Sequence, residues 1–398
     1  MGVVSYLRLG DATGPIAALS MPASYGQADL YRHINEVMGG IHYKDPRTGR
    51  AERVKVNFVE VDTRYDVARG LSSYRRYQGL PKLMLVDPVS TPMVKAILPL
   101  LEQDKVVAYA THDGEFDAHP GWGFLWGPPY QDAFAGALTW ITKVDWPKKG
   151  LARPPVIGYL TWDSPYGREL LRGSTAFADD YGLKLLPPEY YPVGTLDKTP
   201  YLTRLKGADY IFFGGVDPDP SNTVRDAVKL GMTKDIQFIN DFWGTTTTGV
   251  KAYPAELEGT LGYSWYLKGK EAEDSWAGDL YEWSGRGKRT EMHTVYTIGA
   301  GLGLYFVEGV RRALNQVGYT ALDGAALRKA FEGLAGLETR FTGKEGKWKD
   351  VALSGPNAYG PNTRKGSRLM KVYRVKGGAI VPESDWFEAP NAVGRYKW

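Results

Sequence analysis

The stretch Leu9–Ala18, LGDATGPIAA, follows a short apolar run at the start of the chain and precedes a helical pattern. A strand that ends in small, hydroxyl-bearing and glycine residues, with Pro15 to stiffen the loop, is typical of a plain turn or of a backbone that approaches something other than protein. Ligands of open parallel sheets bind outside the carboxyl ends of the strands. The second alternative therefore makes this loop a wall of a binding site, where Thr13 offers a hydroxyl.

The composition is that of a globular protein. Of 398 residues, 43% are hydrophobic and 24% are charged, and the net charge of +4 is too balanced to predict binding to nucleic acid. A chain of this length predicts two lobes of roughly 150–250 residues each. The sequence has no cysteine, which excludes disulfides and thiolate metal sites. We expect no cofactor and no metal.

Strands and helices alternate through the first 140 residues, and the alternation restarts at Val156. Such alternation predicts an α/β fold with parallel sheets covered on both faces, in two similar lobes. Ser24 and Gln27 predict a capping box at the first helix. The predicted strands are 3–9, 54–62, 83–86, 106–110, 156–160, 210–213, 236–239, 369–375 and 379–382.

The loops that follow the predicted strands are rich in polar groups but lack a catalytic constellation. The sequence has no Walker A motif, no Gly-x-Ser-x-Gly elbow and no His-Glu-x-x-His pair. The glycines of 299–303 lie inside a predicted helix, so we interpret them as a site of close helix packing rather than a dinucleotide fingerprint. We therefore expect binding rather than catalysis. The loops are 11–17, 87–91, 110–116, 161–166, 214–221 and 240–245.

Two of these loops contain residues with competing interpretations. Ser90 and Thr91 follow a strand and begin a helix, so they could bind an anion at the positive end of the helix or could form an ordinary N-cap. Asp217 could hold a ligand amino group, but in VDPDPS a turn and helix cap is the favoured interpretation. Trp162 and Trp243 stand in exit loops among polar residues, which favours them as aromatic contacts of a ligand.

Several short motifs, in their order along the chain, resemble type I periplasmic binding proteins. More narrowly, they resemble the leucine/isoleucine/valine-binding family that serves ABC importers. The resemblance covers nearly the whole chain. The motifs are LGDATGPIAA at 9–18, INE at 34–36, GGI at 39–41, VD at 61–62, ST at 90–91, DSPYG at 163–167 and FFGG at 212–215.

The resemblance implies two Rossmann-like lobes joined by three crossover segments, with a ligand cleft between them. The lobes are expected at 1–130 with 266–345, and at 131–265 with 346–398. The implied function is capture of a small amino acid or related carboxylate or amide by lobe closure, without chemistry. It also implies an ABC permease as partner, a monomer, and a periplasmic or lipid-anchored location whose signal segment is absent from this sequence.

The resemblance also assigns binding roles to individual residues. Ser90, Thr91 and the backbone at 110–112 would bind the ligand's carboxylate, and Tyr166 would close over the ligand from the second lobe. Asp241 or Phe242 falls near the family's acid for the amino group, for which Asp217 is the substitute. The full set of expected ligand contacts is Thr13, Ser90, Thr91, Ala110, His112, Asp113, Trp162, Tyr166, Asp217, Asp241, Phe242 and Trp243.

Other functions stay open on the sequence. A ligand-sensing domain of a receptor or regulatory system would share the fold. An enzyme, such as an amidohydrolase or a dehydrogenase, would need a nucleophile–base pair or a cofactor loop, and neither is found. His112 and Asp113 place larger polar groups than the family usually has, and His112 together with the aromatic residues near the strand exits points away from plain leucine. Aliphatic amino acids, aromatic carboxylates and small amides all remain candidate ligands.

Overall fold

The computed structural model describes residues 2–398, in two compact units. Unit 1 is made of the chain up to His112, of His119–Gly127 and of Glu271–Ser367. Unit 2 is made of Asp113–Ala118, Pro128–Lys270 and Arg368–Trp398. The lobe boundaries expected from the sequence stay a prediction.

Unit 1 is built on a sheet in the order β2-β3-β1-β4-β5-β6. All neighbouring strands are parallel except the β2–β3 hairpin, which is antiparallel. The central strand β1 is buried along most of its length, since its apolar side chains are covered on both faces. Its strands are β1 (Gly2–Gly10), β2 (Ile41–Lys44), β3 (Ala51–Asp62), β4 (Leu83–Pro88), β5 (Val107–Tyr109) and β6 (Gly123–Phe124).

Unit 2 is built on a second sheet in the order β14-β13-β12-β11-β10-β7-β8, with β9 beside β7 and β15 beside β13. The strands from β7 to β12 pair in parallel, whereas β13 pairs antiparallel with β12, β14 and β15. The strands are β7 (Val156–Trp162), β8 (Lys184–Leu185), β9 (Glu189–Tyr191), β10 (Tyr210–Phe213), β11 (Gln237–Asn240), β12 (Leu261–Ser264), β13 (Leu369–Lys376), β14 (Ala379–Pro382) and β15 (Phe387–Glu388).

Helices connect most of the parallel strands, because parallel pairing needs a crossover connection. Over residues 2–398, no helix combines the length and hydrophobicity that crossing a bilayer needs. The helices are α1 (Ala17–Arg32), α2 (Val67–Tyr77), α3 (Thr91–Asp104), α4 (Glu115–Ala118), α5 (Tyr130–Trp140), α6 (Pro165–Glu169), α7 (Thr175–Asp180), α8 (Thr199–Arg204), α9 (Asp219–Lys229), α10 (Thr247–Ala252), α11 (Pro254–Leu257), α12 (Gly269–Glu273), α13 (Trp276–Trp283), α14 (Thr294–Ala321) and α15 (Gly324–Glu332).

The predicted α/β class with mainly parallel sheets is confirmed, but the capping box at Ser24 is wrong. Helix α1 begins at Ala17, so Ser24 lies inside it, and its hydroxyl donates to the Glu60 carboxylate rather than capping the backbone. Gln27 is also inside the helix, and its amide donates to the Tyr6 hydroxyl over 2.7 Å. The pattern misled because a buried polar contact to a distant strand uses the same residue types as a helix cap.

The glycine-rich stretch in α14 packs closely against α1, as the sequence predicts. A Cβ atom on Gly299 would overlap the carbonyl oxygen of Ala23, and one on Gly26 would overlap that of Tyr296. The absence of side chains at these two glycines therefore allows the two helix backbones to approach within contact distance. These glycines therefore have a packing role in the core of unit 1.

Candidate functional site

In unit 2, the strands β7, β10, β11 and β12 are parallel neighbours, so their carboxyl ends lie at one edge of the sheet. Polar side chains from all four strand ends collect there. We call these side chains, together with the glycine between them, the acidic edge, and it consists of Thr161, Tyr166, Gly214, Asp217, Asp241, Thr246 and Lys268. Residues up to 107 positions apart in sequence (161 and 268) meet in this group.

Asp241 follows β11 directly and is 1% exposed. The Tyr166 hydroxyl donates to its Oδ2, and the Trp243 backbone N–H donates to its Oδ1 over 3.0 Å. Burial raises the pKa of Asp241 to about 7, although the Tyr166 hydrogen bond and the positive charge of Lys268 act to lower it. The site therefore contains a carboxyl group that changes charge near neutral pH.

Gly214 lies at the point where three polar side chains of the acidic edge converge. A Cβ atom placed on Gly214 would lie 2.6 Å from Thr161 Oγ1, 2.9 Å from the Tyr166 hydroxyl oxygen and 3.2 Å from Asp241 Oδ2. Thr161 Oγ1 is buried and has no hydrogen-bond partner within the described residues. The missing side chain of Gly214 thus keeps these oxygens close together, where they can act as acceptors.

Asp217 contradicts the helix-cap interpretation that the sequence favours. Helix α9 begins two residues later at Asp219, with Pro218 before it, and no side chain caps it. Instead the Asp217 Oδ2 accepts a hydrogen bond from the Thr246 hydroxyl, whereas Oδ1 is buried without a partner within residues 2–398. Burial raises the pKa of Asp217 to about 6. Within the described residues, one oxygen of this carboxylate is therefore unsatisfied.

Lys268 lies four residues after the end of β12 and was missed by the sequence analysis. Its side chain is buried, and its Nζ donates to the backbone carbonyl oxygens of Phe242 and Thr245, each over 2.8 Å. Burial lowers the pKa of Lys268 to about 7, while the charges of Asp241 and Asp217 act to raise it. We predicted the site from polar residues in the loops that follow strands. A lysine that donates hydrogen bonds to main-chain oxygens has no recognisable pattern in such loops.

The aromatic residues expected to contact a ligand lie at the same edge of unit 2. The rings of Phe242 and Trp265 are stacked, with centroids 3.6 Å apart and planes 5° from parallel. The Trp243 indole N–H donates to the Tyr130 hydroxyl over 3.0 Å. The Trp162 indole N–H donates to Asp219, so the ring face, rather than the N–H, is what Trp162 can offer a ligand.

Asp219 is a second residue that the sequence analysis missed. Its Oδ1 lies 3.1 Å from the Nζ of Lys198, whose side chain is fully buried. Its Oδ2 accepts from Trp162 and from the Tyr191 hydroxyl at 3.4 Å. Because these donors satisfy both of its oxygens, Asp219 orients Trp162 and has less hydrogen-bonding capacity left for a ligand than Asp217 has.

In unit 1, Ser90 is the N-cap of α3, whose first residue is Thr91, so the N-cap interpretation is confirmed for Ser90. Ser90 Oγ accepts from the Met93 backbone N–H over 3.2 Å, and Thr91 Oγ1 accepts from the Thr111 hydroxyl over 3.2 Å. In the first turn, Pro92 has no N–H and the N–H groups of Met93 and Val94 bond to Ser90, so the backbone donor left there for a ligand is the N–H of Thr91. The role of Ser90 and Thr91 in binding a carboxylate stays a prediction.

The remaining predicted contacts have structural partners of their own. The backbone N–H of Ala110 donates to the Phe124 carbonyl over 2.9 Å, and the His112 ring meets the Trp126 ring edge-on, with centroids 4.0 Å apart. Asp113, which belongs to unit 2, accepts from the Glu115 backbone N–H over 3.0 Å. Ala110, His112 and Asp113 are fully buried, and their ligand roles stay predictions.

The opening loop LGDATG is shaped by two carboxylates. Asp11 accepts from the backbone N–H groups of Gly14 and Ile16, and Asp62 accepts from the Thr13 hydroxyl over 2.7 Å. Although burial alone would raise the pKa of Asp62, the hydrogen bonds from Ala12, Thr13 and Arg64 hold it below its usual value. The small residues of the loop thus let the backbone wrap around these carboxylates, and the hydroxyl hydrogen of Thr13 is already used in its hydrogen bond to Asp62.

Unit 1 also contains a buried arginine that the sequence analysis passed over. Arg8 lies in β1, is 2% exposed, and forms an ion pair with Asp87 at the end of β4. Its Nε lies 3.4 Å from Glu60, and Gln27 joins the group through its amide. The signal in the sequence was an arginine in the middle of an apolar strand.

Within residues 2–398, no group of three metal-ligating side chains comes together.

The fold is similar to that of solved structures over nearly the whole chain. A branched chain amino acid ABC transporter from Thermus thermophilus with bound valine is 20% identical, with a TM-score of 0.81 over 99% of this chain and 98% of that chain. A fatty acid ABC transporter substrate-binding protein from Thermomonospora curvata is 18% identical, with a TM-score of 0.77 over 99% and 94%. An ABC transporter solute binding protein from R. palustris in complex with 4-hydroxybenzoate is 16% identical, with a TM-score of 0.74 over 98% and 98%.

No curated protein matches the chain. A family model described as "Periplasmic binding protein" matches residues 8–379. The sheet orders of both units and the structural neighbours agree with the type I fold of that family. The chain belongs to the periplasmic binding protein family.

Proposed function

We propose that this chain is the solute-binding component of an ABC importer and that it captures a small amino acid, or a related carboxylate or amide, without altering it. Its family supports binding rather than catalysis. The relatives that share its fold are named for valine, fatty acid and 4-hydroxybenzoate. All three ligands are carboxylates, but only valine also has an amino group. Whether the site binds an amino group therefore distinguishes between these classes of ligand.

The acidic edge of unit 2 supports a ligand with an amino group. The single observation that carries this proposal is the buried Oδ1 of Asp217, a carboxylate oxygen without a donor. Such an oxygen is costly unless a donor reaches it, and an ammonium group supplies three N–H donors and a positive charge. Asp241 and Thr161 add further acceptors on the neighbouring strand ends. An ammonium group bound there would replace the solvation that burial has removed.

For the carboxylate of the ligand we propose Ser90 and Thr91 of unit 1. They begin α3, a helix of 14 residues whose N-terminal N–H groups carry partial positive charge. The apolar part of the ligand would contact aromatic rings, for which Trp162, Phe242 and Trp243 are the candidates. Closure of the lobes on the ligand, a periplasmic location, an ABC permease as partner and a monomeric state belong to the same proposal.

The sharpest test compares two ligands that differ only in the amino group. L-Valine and 3-methylbutanoate have the same carbon skeleton and carboxylate, and calorimetry or thermal unfolding measures binding of each. We expect L-valine to bind more tightly. A ligand at 100 times its dissociation constant adds about 2.7 kcal/mol of stability, which a thermal scan detects.

Two outcomes would contradict the proposal. Tighter binding of 3-methylbutanoate, or of 4-hydroxybenzoate, would show that the acidic edge does not hold an amino group. Conversion of the ligand into a product during long incubation, detected by mass spectrometry, would show an enzyme. Substitution of Asp217 by Asn should weaken binding of L-valine, while the same substitution at the exposed Asp235 serves as the control.

A further inference from the structure

Lys268 connects two strand ends of unit 2 through main-chain oxygens. It follows β12, whereas both of its acceptors, the carbonyl oxygens of Phe242 and Thr245, belong to the loop after β11. Both distances are 2.8 Å, the side chain is 3% exposed, and its Nζ lies 5.5 Å from the centre of the Phe242 ring. One ammonium group thus holds both ends of a four-residue segment, 242–245.

The two carbonyl groups belong to residues that directly neighbour Asp241 and Thr246 in the chain. Phe242 follows Asp241 directly. Thr245 precedes Thr246, whose hydroxyl donates to Asp217. Fixing these two peptide units therefore fixes the backbone from which Asp241 extends and the hydroxyl that orients Asp217. The lysine acts on both acids without forming a hydrogen bond to either.

We propose that Lys268 is a positioning residue of the amino-group site, which holds the loop 241–246 so that Asp241 and Asp217 present their oxygens to the ligand. This inference rests on the proposed function of the acidic edge. It adds a residue from a fourth strand end to the site and assigns it a role distinct from ligand contact.

A lysine at this position has a physical reason. Complete burial of an ammonium group is unfavourable, so a residue there must supply something that an apolar side chain cannot. Without Lys268, the carbonyl oxygens of Phe242 and Thr245 would lose a donor in a buried loop. The nearby charges of Asp241 and Asp217 offset part of the cost of burying its positive charge.

The first experiment measures affinity for L-valine by calorimetry in three variants. We expect Lys268→Met to weaken binding at least about tenfold, because the loop loses both hydrogen bonds. Lys268→Arg, which keeps the charge and the donors, should restore most of the affinity. Lys371→Met removes another buried lysine of unit 2, on β13, and should leave the affinity unchanged.

The pH profile separates positioning from general loss of stability. The positive charge of Lys268 lowers the pKa of Asp241 and of Asp217. Its removal in Lys268→Met should therefore move the rise in L-valine affinity to higher pH, whereas Lys268→Arg, which keeps a positive charge throughout the assay, should not. A merely destabilised protein would bind less at every pH with the same midpoint, and that result would overturn the proposal.

A measurement without ligand keeps the proposal testable if L-valine is not the solute. Amide hydrogen exchange by mass spectrometry should be faster over 240–247 in Lys268→Met than in the wild type, with the remainder of unit 2 unchanged. Unaltered exchange in that segment would refute the positioning role. If Asp241→Asn leaves L-valine binding intact, the proposed function fails; if it abolishes binding while Lys268→Met does not, this inference alone fails.

Discussion

The substitution Asp241→Asn should make the ligand-free protein more stable at pH 8 while abolishing binding. Asp241 is 1% exposed and accepts hydrogen bonds from Tyr166 and from the Trp243 backbone. An asparagine keeps the shape, with Oδ1 accepting from Trp243 and Nδ2 donating to the Tyr166 hydroxyl. The variant thus removes a buried charge with little change in packing.

The magnitude follows from the pKa of this carboxyl group. Burial raises the pKa from 3.8 to about 7, a difference of about three units, and each unit corresponds to about 1.36 kcal/mol. The pKa of Asp241 is higher in the folded protein than in the unfolded chain. Its contribution to the free energy of unfolding is therefore fully present below about pH 4 and is lost as the pH rises from about 4 to about 7. The ionised form therefore costs about 4 kcal/mol at pH 8, and we expect the variant to recover about 2–4 kcal/mol.

The assay is chemical unfolding at pH 5 and pH 8, followed by calorimetry with L-valine at pH 8. The difference between the variant and the wild type should be less than half as large at pH 5 as at pH 8, because most of the loss of stability occurs between these two pH values. Asp235→Asn, at an exposed position of unit 2, should show no such change. A variant less stable than the wild type at pH 8, or a difference that does not depend on pH, would refute the argument from burial.

Three further predictions concern the predicted binding residues. Affinity for L-valine should rise between about pH 5.5 and pH 8 as Asp217 and Asp241 ionise, with pKa values of about 6 and about 7; a flat calorimetric profile would contradict this. Gly214→Ala should weaken binding about tenfold in the same assay, since its methyl group would lie 2.6 Å from Thr161 Oγ1 and 2.9 Å from the Tyr166 hydroxyl oxygen and would displace both from Asp241. Ser90→Ala with Thr91→Val should lower unfolding stability by about 1 kcal/mol through the lost cap, and should abolish binding. Full affinity in that double variant would remove the proposed carboxylate contact.

Local patterns were sufficient where a segment's neighbours in sequence determine its structure. The strand at Tyr210–Phe213 was predicted with its observed bounds, and the cap at Ser90 forms as its residue type indicates. The capping box at Ser24 failed because its hydroxyl bonds to Glu60 on β3, 36 positions away. The same residue types serve a helix end and a buried contact, and only the position of a distant strand separates the two.

The sequence by itself determined most of the alternating strands and helices and therefore several of the loops that follow parallel strands, among them those with Asp217 and Asp241. It did not indicate β2, β6, β8, β9, β12 or β15. It could not show that Thr246 rather than a helix end would bond to Asp217, nor that Lys268 would hold the loop beside Asp241. Those contacts join residues 29 and 26 positions apart. Tertiary structure decided them because hydrogen bonds between strand ends, and the burial that raises the pKa of both acids, exist only once the sheet has brought its carboxyl ends together.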